Sequence, residues 1–267
     1  MATDTYTHGH HESVLRSHTW RTAENSATYL LPHLRAGLTV LDVGCGPGTI
    51  TLDLAQRVAP GVVVGLEPVD APLETARRHA DDRGDARTQF VIGDVYALEA
   101  PDDTYDVVHA HQVLQHLTDP VAALREMRRV TKPGGIVAVR DADYDAMVWS
   151  PRDDRLDDWL EIYEAVARSN GAEPDAARHL LSWVHAAGFT DVTCTASTWC
   201  FATAEERAWW GGLWADRTRH STFGEQALER GLITRDGIDE VADAWLEWAA
   251  QPDGWFAVLN GEVLARA

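Results

Sequence analysis

Lysine is nearly missing from this sequence. Lys132 is the only one, and arginine supplies the rest of 23 cationic side chains set against 42 carboxylates. The formal charge of −19 and pI near 4.9 exclude the clustered cations by which proteins displace counterions from nucleic-acid phosphates. The same deficit excludes a basic patch for an anionic membrane surface. Cysteine is scarce as well: Cys45, Cys194 and Cys200 are too few and too scattered for a disulfide framework or a zinc site. No apolar run is long enough to span a bilayer, and the polar N-terminal segment, rich in His and Arg, has no signal-peptide core. The cytoplasm is therefore the expected compartment and a small molecule the expected partner, with a homodimer the one protein assembly left open.

What is present starts with Val40-Leu41-Asp42-Val43-Gly44-Cys45-Gly46-Pro47-Gly48-Thr49, a short apolar strand running into a turn with glycine at alternate positions. Glycine takes the positive φ of a tight strand-to-helix turn and lets a ligand approach the main chain. The helix expected from Thr49 to Val58 would point its free N–H groups at that ligand. Spacing excludes two familiar readings. The dinucleotide fingerprint needs its third glycine three residues after the second, where Thr49 stands, and the phosphate loop needs Gly-Lys-Ser/Thr, which the distant Lys132 cannot supply.

With Asp42 just inside the strand, this loop resembles motif I of the class I S-adenosylmethionine (SAM)-dependent methyltransferases. The resemblance continues through Val62 to Glu67, a strand ending in a carboxylate, and through Phe90-Val91-Ile92-Gly93-Asp94-Val95. Tyr105 to His111 is similar to the family's fourth strand, and Leu124 to Gly135 to the helix and turn before a fifth, Ile136 to Arg140. Five elements in order cover residues 40 to 140. The resemblance implies SAM as cofactor, held by Asp42, Gly44, Gly46, Gly48, Glu67, Gly93, Asp94, Val95, His111 and Gln112. Glu67 would accept both ribose hydroxyls, in charge-assisted bonds worth roughly 1.5–3 kcal/mol each, and Asp94 would take the adenine amino group. Within the family the chain is most similar to bacterial quinone-biosynthesis and natural-product enzymes. It departs from the common pattern in Glu67, where aspartate is usual, and in Cys45 within the loop. The Asn/Asp-Pro-Pro-Tyr/Phe stretch of protein and nucleic-acid methylases is replaced by His109-Ala110-His111-Gln112.

At 267 residues the chain suits one α/β domain with additions. Alternating strand and helix patterns from Leu38 to Arg140 predict a Rossmann-like, doubly wound, mostly parallel sheet. Helices are expected over Asp153 to Asn170 and Asp175 to Ala187, a sixth strand over Val192 to Phe201, and a last, antiparallel strand over Trp255 to Ala265, making seven. Residues 1–36 are expected to form a helical lid, with a break at Asn25-Ser26. Residues 37–202 and 253–267 are expected to form the SAM-binding domain, and 203–252 an inserted helical cap with helices near Ala204–Thr218, Phe223–Arg230 and Thr234–Ala249.

Eleven tryptophans gather late in the chain. Most suit a shallow cap that buries area with large side chains. Trp209 and Trp210, adjacent and so about 100° apart on a helix, are not both expected on one buried face; one of the pair is expected to face a cleft, a partner chain or the core's rim. His8, His10 and His11 beside Tyr6 match no zinc spacing, so no metal is expected. A lid-side substrate contact through Tyr6 and His10 and an exposed tail both stay open. Asp141, Asp143 and Tyr144 are expected on a loop after strand five, at the ligand-binding end of the sheet. Methyl transfer from a sulfonium is an in-line displacement that gains chiefly from positioning, worth roughly 7–11 kcal/mol of barrier. A base adds on the order of 10²–10⁴ where the nucleophile carries a proton; His111, His116 and Asp141 are the candidates. The expected acceptor is a flat apolar molecule, bound also by Tyr144, Trp209 and Trp210. A non-methylating SAM enzyme, such as a cyclase, and a SAM-binding regulator without turnover are the alternatives.

Overall fold

The computed structural model describes residues 4, 7 and 18–267. The short helix α1 (Ala23–Ser26) precedes β1 (Thr39–Val43), α2 (Thr49–Val58), β2 (Val62–Glu67), α3 (Asp70–Asp82), β3 (Gln89–Ile92), β4 (Tyr105–His111), α4 (Pro120–Val130) and β5 (Thr131–Ser150). Then come α5 (Asp154–Ser169), α6 (Leu180–Ala186), β6 (Asp191–Phe201), α7 (Ala204–His220), α8 (Thr222–Glu229), α9 (Arg235–Ala250) and β7 (Trp255–Arg266).

The strands form one seven-stranded sheet in the order β3-β2-β1-β4-β5-β7-β6. β1 to β5 are parallel, while β7 runs antiparallel to both of its neighbours. Apolar β1 and β4 lie at its centre, buried on both faces, as central parallel strands require. One face buries Leu30, Val40, Leu54 and Val63. The other buries Val43, Leu124, Met127 and Val137. α4 shows how the local sequence sets this packing: Asp119 accepts from Ala122 N at its start, with Pro120 beside it, and Leu124, Met127 and Val130 turn wholly inward. Each of those side chains contributes about 1.5–3 kcal/mol by leaving water. The chain winds outward from β1 to β3, then returns to β4 on the far side of β1. This reversal opens a crevice at the carboxyl ends of β1 and β4, the ligand position of open α/β sheets.

Two expectations need correction. β5 continues to Ser150 rather than stopping at Arg140, because β7 offers an antiparallel ladder to Ile136–Asp143 and, after a register shift, to Val148–Ser150. Asp141, Asp143 and Tyr144 therefore lie inside a strand, not on a loop. The break expected at Asn25-Ser26 is present, since α1 stops at Ser26; Asn25 also closes a capping box at the start of that short helix, its side chain accepting from Thr22 N while Thr22 accepts from Asn25 N. The segment expected as one helix after Asp175 starts as a 3-10 turn, Ala176–His179, and only then becomes α6.

α7, α8 and α9 pack with α5 and the outer half of β5 around a separate core in which Trp159, Trp214 and Trp245 are fully buried. Trp159 meets Trp214 edge-on at 4.6 Å and Trp245 at 4.8 Å, a favoured geometry for aromatic pairs.

Candidate functional site

The crevice is a cavity of about 1460 Å³, bordered by the glycine loop, the ends of β2, β3 and β4, the outer half of β5 and the tryptophans of α7. Gly44, Gly46 and Gly48 all have positive φ, but they serve different ends. A Cβ on Gly46 would stand in the cavity's cradle, 3.7 Å from His18 Nδ1 and 3.9 Å from Glu67 Oε1. A Cβ on Gly48 would meet Ala76 Cβ at 2.9 Å and the Phe90 ring at 3.1 Å. Gly48 caps α2 and does not border the cavity; its lack of a side chain lets α2 start against α3 and β3.

Glu67, at the tip of β2, accepts Gly46 N–H through Oε1 at 2.6 Å. Burial pushes its carboxyl up to about 7, opposed by that hydrogen bond and reinforced by the charge of Asp42. Asp42 is spent internally, with Oδ2 accepting from Thr51 Oγ1 at 2.6 Å and Oδ1 facing His109 Nδ1 at 2.7 Å. It pins the strand-to-helix turn from beneath. Gly93, Asp94 and Val95 border the cavity beyond β3, with Asp94 Oδ1 accepting from Tyr96 N. Gln112, at φ 52°, donates its N–H to Arg140 O at 2.6 Å and accepts from the Arg21 guanidinium at 2.6 Å.

His111 is 6% exposed on the cavity wall, and among the described residues neither ring nitrogen has a hydrogen-bond partner. Burial, with Arg21 and Arg140 nearby, holds it neutral, its pKa well below that of a free imidazole. His116 also borders the cavity and is pushed down to about 3 by burial, then by Arg21 and Arg217. Gln115 sets its tautomer. Gln115 Oε1 accepts Ala142 N–H at 3.3 Å, which turns the amide nitrogen toward His116 Nε2 at 3.0 Å. Nε2 is then the acceptor and the ring proton sits on Nδ1.

Asp141 is the candidate the structure removes from the cavity wall. It is wholly buried behind Gln115, with Oδ1 accepting Gln115 N–H at 3.1 Å. Burial pushes its carboxyl up to about 7. Asp143 is likewise engaged, by Arg178. Tyr144, stacked on Tyr163 at 4.2 Å, does reach the cavity.

Trp209 and Trp210 both border the cavity. Trp210 stacks on Phe201 at 4.3 Å, while Trp209 leans on Trp20 at 5.2 Å. Tyr6 and His10 lie outside the described residues. No group that could hold a metal ion occurs among the described residues, and no helix among them is long and apolar enough to cross a membrane.

Sequence reasoning passed over Arg21, Trp20, Trp199, Gln115 and Arg217, all on the cavity wall. Arg21 had a usable signal: a Trp-Arg step directly before the cap residue Thr22, in a segment otherwise read only for its apolar positions. Arg217 had none, being one of several arginines on a helix whose apolar and polar residues mark no clear face.

Comparison with known proteins agrees with this geometry. A family model described as a methyltransferase domain matches residues 34–208. An uncharacterized methyltransferase of Schizosaccharomyces pombe is 36% identical over 97% of this chain and 95% of its own. A probable methyltransferase of Aspergillus luteorubrus, ltbC, is 31% identical over 98% and 97%. A putative methyltransferase from Bacillus halodurans C-125 shares the fold, with a TM-score of 0.57 at 19% identity over 95% of this chain and 98% of that one.

Proposed function

The chain belongs to the class I SAM-dependent methyltransferases, and from that premise we propose that it methylates a flat, apolar small molecule held beneath the tryptophans of α7. The enzyme class and the cofactor follow from the family. The acceptor is our reading, and one observation carries it: the cavity continues past the glycine loop into a chamber walled by Trp20, Trp199, Trp209, Trp210 and Trp214.

The residues at the loop fit the cofactor. Gly46 offers an open cradle, Glu67 a carboxylate beside it, and Arg21 a cation beside Gln112 and His111. In this reading Glu67 accepts the ribose hydroxyls, Asp94 faces the adenine, and Arg21 neutralises a carboxylate at the β4 end. When bound, SAM supplies an electrophilic methyl group and a neutral leaving sulfide. The chain's own task is to orient the acceptor and exclude water. Trp199, whose indole N–H is tied to Asn25 O at 2.6 Å, and Trp210, stacked on Phe201, are fixed walls for that purpose. His111 stands where the two halves of the cavity meet and presents uncharged nitrogens to whatever lies there. Tyr6 and His10 stay proposed lid contacts.

The test is transfer of labelled methyl from SAM to a panel of indoles, phenols and quinols. Labelled product is expected from at least one ring system and none from aliphatic amines of similar size. Transfer confined to the aliphatic members would overturn the aromatic reading. S-adenosylhomocysteine should raise the melting temperature throughout.

A further inference from the structure

β5 outlasts its parallel neighbour. Its last pair with β4 joins Arg140 to His111, and the strand then runs on to Ser150 along β7, so its outer half projects past the β4 tip. Ala142, Tyr144 and Met147 of that half line the cavity, and Val258 of β7 lines it with them. From Ala142 to Met147 is five residue steps, about 16 Å when fully extended, less what the register shift between Asp143 and Val148 takes up. A single benzene ring spans about two such steps and would leave most of this floor uncovered. α7 adds an extended aromatic wall: Trp210 and Trp214 stand one turn apart, their ring centres 5.9 Å from each other, and both line the cavity. These surfaces are fixed, since Tyr144 stacks on Tyr163 at 4.2 Å and Trp210 on Phe201 at 4.3 Å. Fixed flat walls suit a rigid flat body better than a flexible chain, which loses rotamer freedom on entry. Volume points the same way. The cavity of about 1460 Å³ exceeds the roughly 300–1,000 Å³ of a pocket for one drug-sized ligand, which leaves the acceptor a share comparable to the cofactor's.

We propose that the acceptor is a polycyclic aromatic molecule of two or three fused rings, lying lengthwise along the outer half of β5 with its nucleophile toward the β4 tip and its far end against Met147. The inference rests on the methyltransferase reading and narrows its substrate class. Ala142 and Met147 are then specificity-determining residues at the two ends of the floor. Ala142, the smallest of the three β5 side chains there, leaves room for the ring that carries the nucleophile. Met147, unbranched and polarizable, closes the far end and sets the length that fits.

A size ladder tests this on the full chain saturated with S-adenosylhomocysteine, read by calorimetry. The probes are phenol, 2-naphthol and 2-anthrol, with 4-butylphenol and 4-octylphenol matching the two larger ones in carbon number. Affinity is expected to rise about tenfold or more with each added ring, and each alkylphenol to bind about threefold or more weakly than its ring counterpart. The variants place the probe along the strand. Met147→Phe should weaken 2-anthrol about tenfold and leave phenol unchanged, whereas Ala142→Val should weaken all three ring probes. Met147→Ala, which adds no bulk to the core, should again spare phenol and weaken 2-anthrol by about threefold. Phenol as tight as 2-anthrol, an alkylphenol as tight as its ring counterpart, no binding by any probe, or an equal effect of the Met147 variants on phenol and 2-anthrol would overturn the proposal. The thermal response to S-adenosylhomocysteine reports whether each variant is folded. Loss of that response in the unmodified chain would instead overturn the cofactor assignment itself.

Discussion

Cofactor affinity should rise with pH through neutrality, and Glu67 should be the cause. Its carboxyl is pushed up to about 7, chiefly by burial, so near pH 6 only about a tenth of it is ionised and near pH 8 about nine-tenths. Ribose hydroxyls donate to a carboxylate, whereas the protonated acid has given up an acceptor. The dissociation constant of S-adenosylhomocysteine should therefore fall as pH rises, by at most about tenfold per unit below 7, and level off above it. Removing the side chain bounds the effect: Glu67→Ala forfeits two charge-assisted hydrogen bonds less the released desolvation, roughly 2–3 kcal/mol, or about 30- to 150-fold in affinity. Glu67→Gln should bind weakly and without pH dependence, which separates Glu67 from His18 and from ionisations of the ligand. Calorimetric titrations at several pH values supply both slopes. A flat profile in the unmodified chain, or the same slope in Glu67→Gln, would refute the argument.

Asp141→Asn should stabilise the protein above neutral pH. The folded pKa, about 7, lies above the ordinary 3.8, so the stability the carboxyl contributes is complete below about 4 and is lost as pH rises through 7. An amide keeps the hydrogen bond from Gln115 N–H without the buried charge, so the melting temperature should rise near pH 8 and change little near pH 4. Methyl transfer should persist, and its loss with cofactor binding intact would return Asp141 to the catalytic list. The two loop glycines should separate binding from folding. Gly46→Ala puts a methyl group into the cradle at φ 54° and should weaken S-adenosylhomocysteine binding more than it lowers the melting temperature. Gly48→Ala drives a Cβ against Ala76 and Phe90 and should lower the melting temperature first, by on the order of 1–3 kcal/mol of overpacking and strain. Equal behaviour of the pair would overturn the division drawn between them. Asp42→Ala strands two buried donors, Thr51 Oγ1 and His109 Nδ1, at about 1–3 kcal/mol each, and chemical denaturation should record the loss.

The parallel half of the sheet was legible because apolar runs bounded by glycine and acid leave few alternatives, and β1, β2 and β4 begin and end close to where those runs do. β5 was not. Its second half reads Asp141-Ala142-Asp143-Tyr144-Asp145-Ala146, polar enough for a loop, and it becomes a strand because β7, more than a hundred residues later in the chain, lays a ladder along it while Gln115 N–H bonds Asp141 Oδ1 and Arg178 pairs with Asp143. Local sequence carries no sign of those partners. Asn25 was legible in part: the helix does end at Ser26, while the capping box that Asn25 makes with Thr22 went unread.

The site divides along the same line. Spacing along the first strands marked the loop and its acids, since a ligand lying across strand tips constrains residues that are near one another in sequence. The acceptor side is set by distance. His116 stands next to the fourth strand, where a histidine reads naturally as a base. Burial, with Arg21 and Arg217 close by, holds it near 3, and the Gln115 amide occupies the nitrogen that would take a proton. A base is defined by its surroundings, and here those surroundings come from the N-terminal segment, from β5 and from a helix a hundred residues downstream.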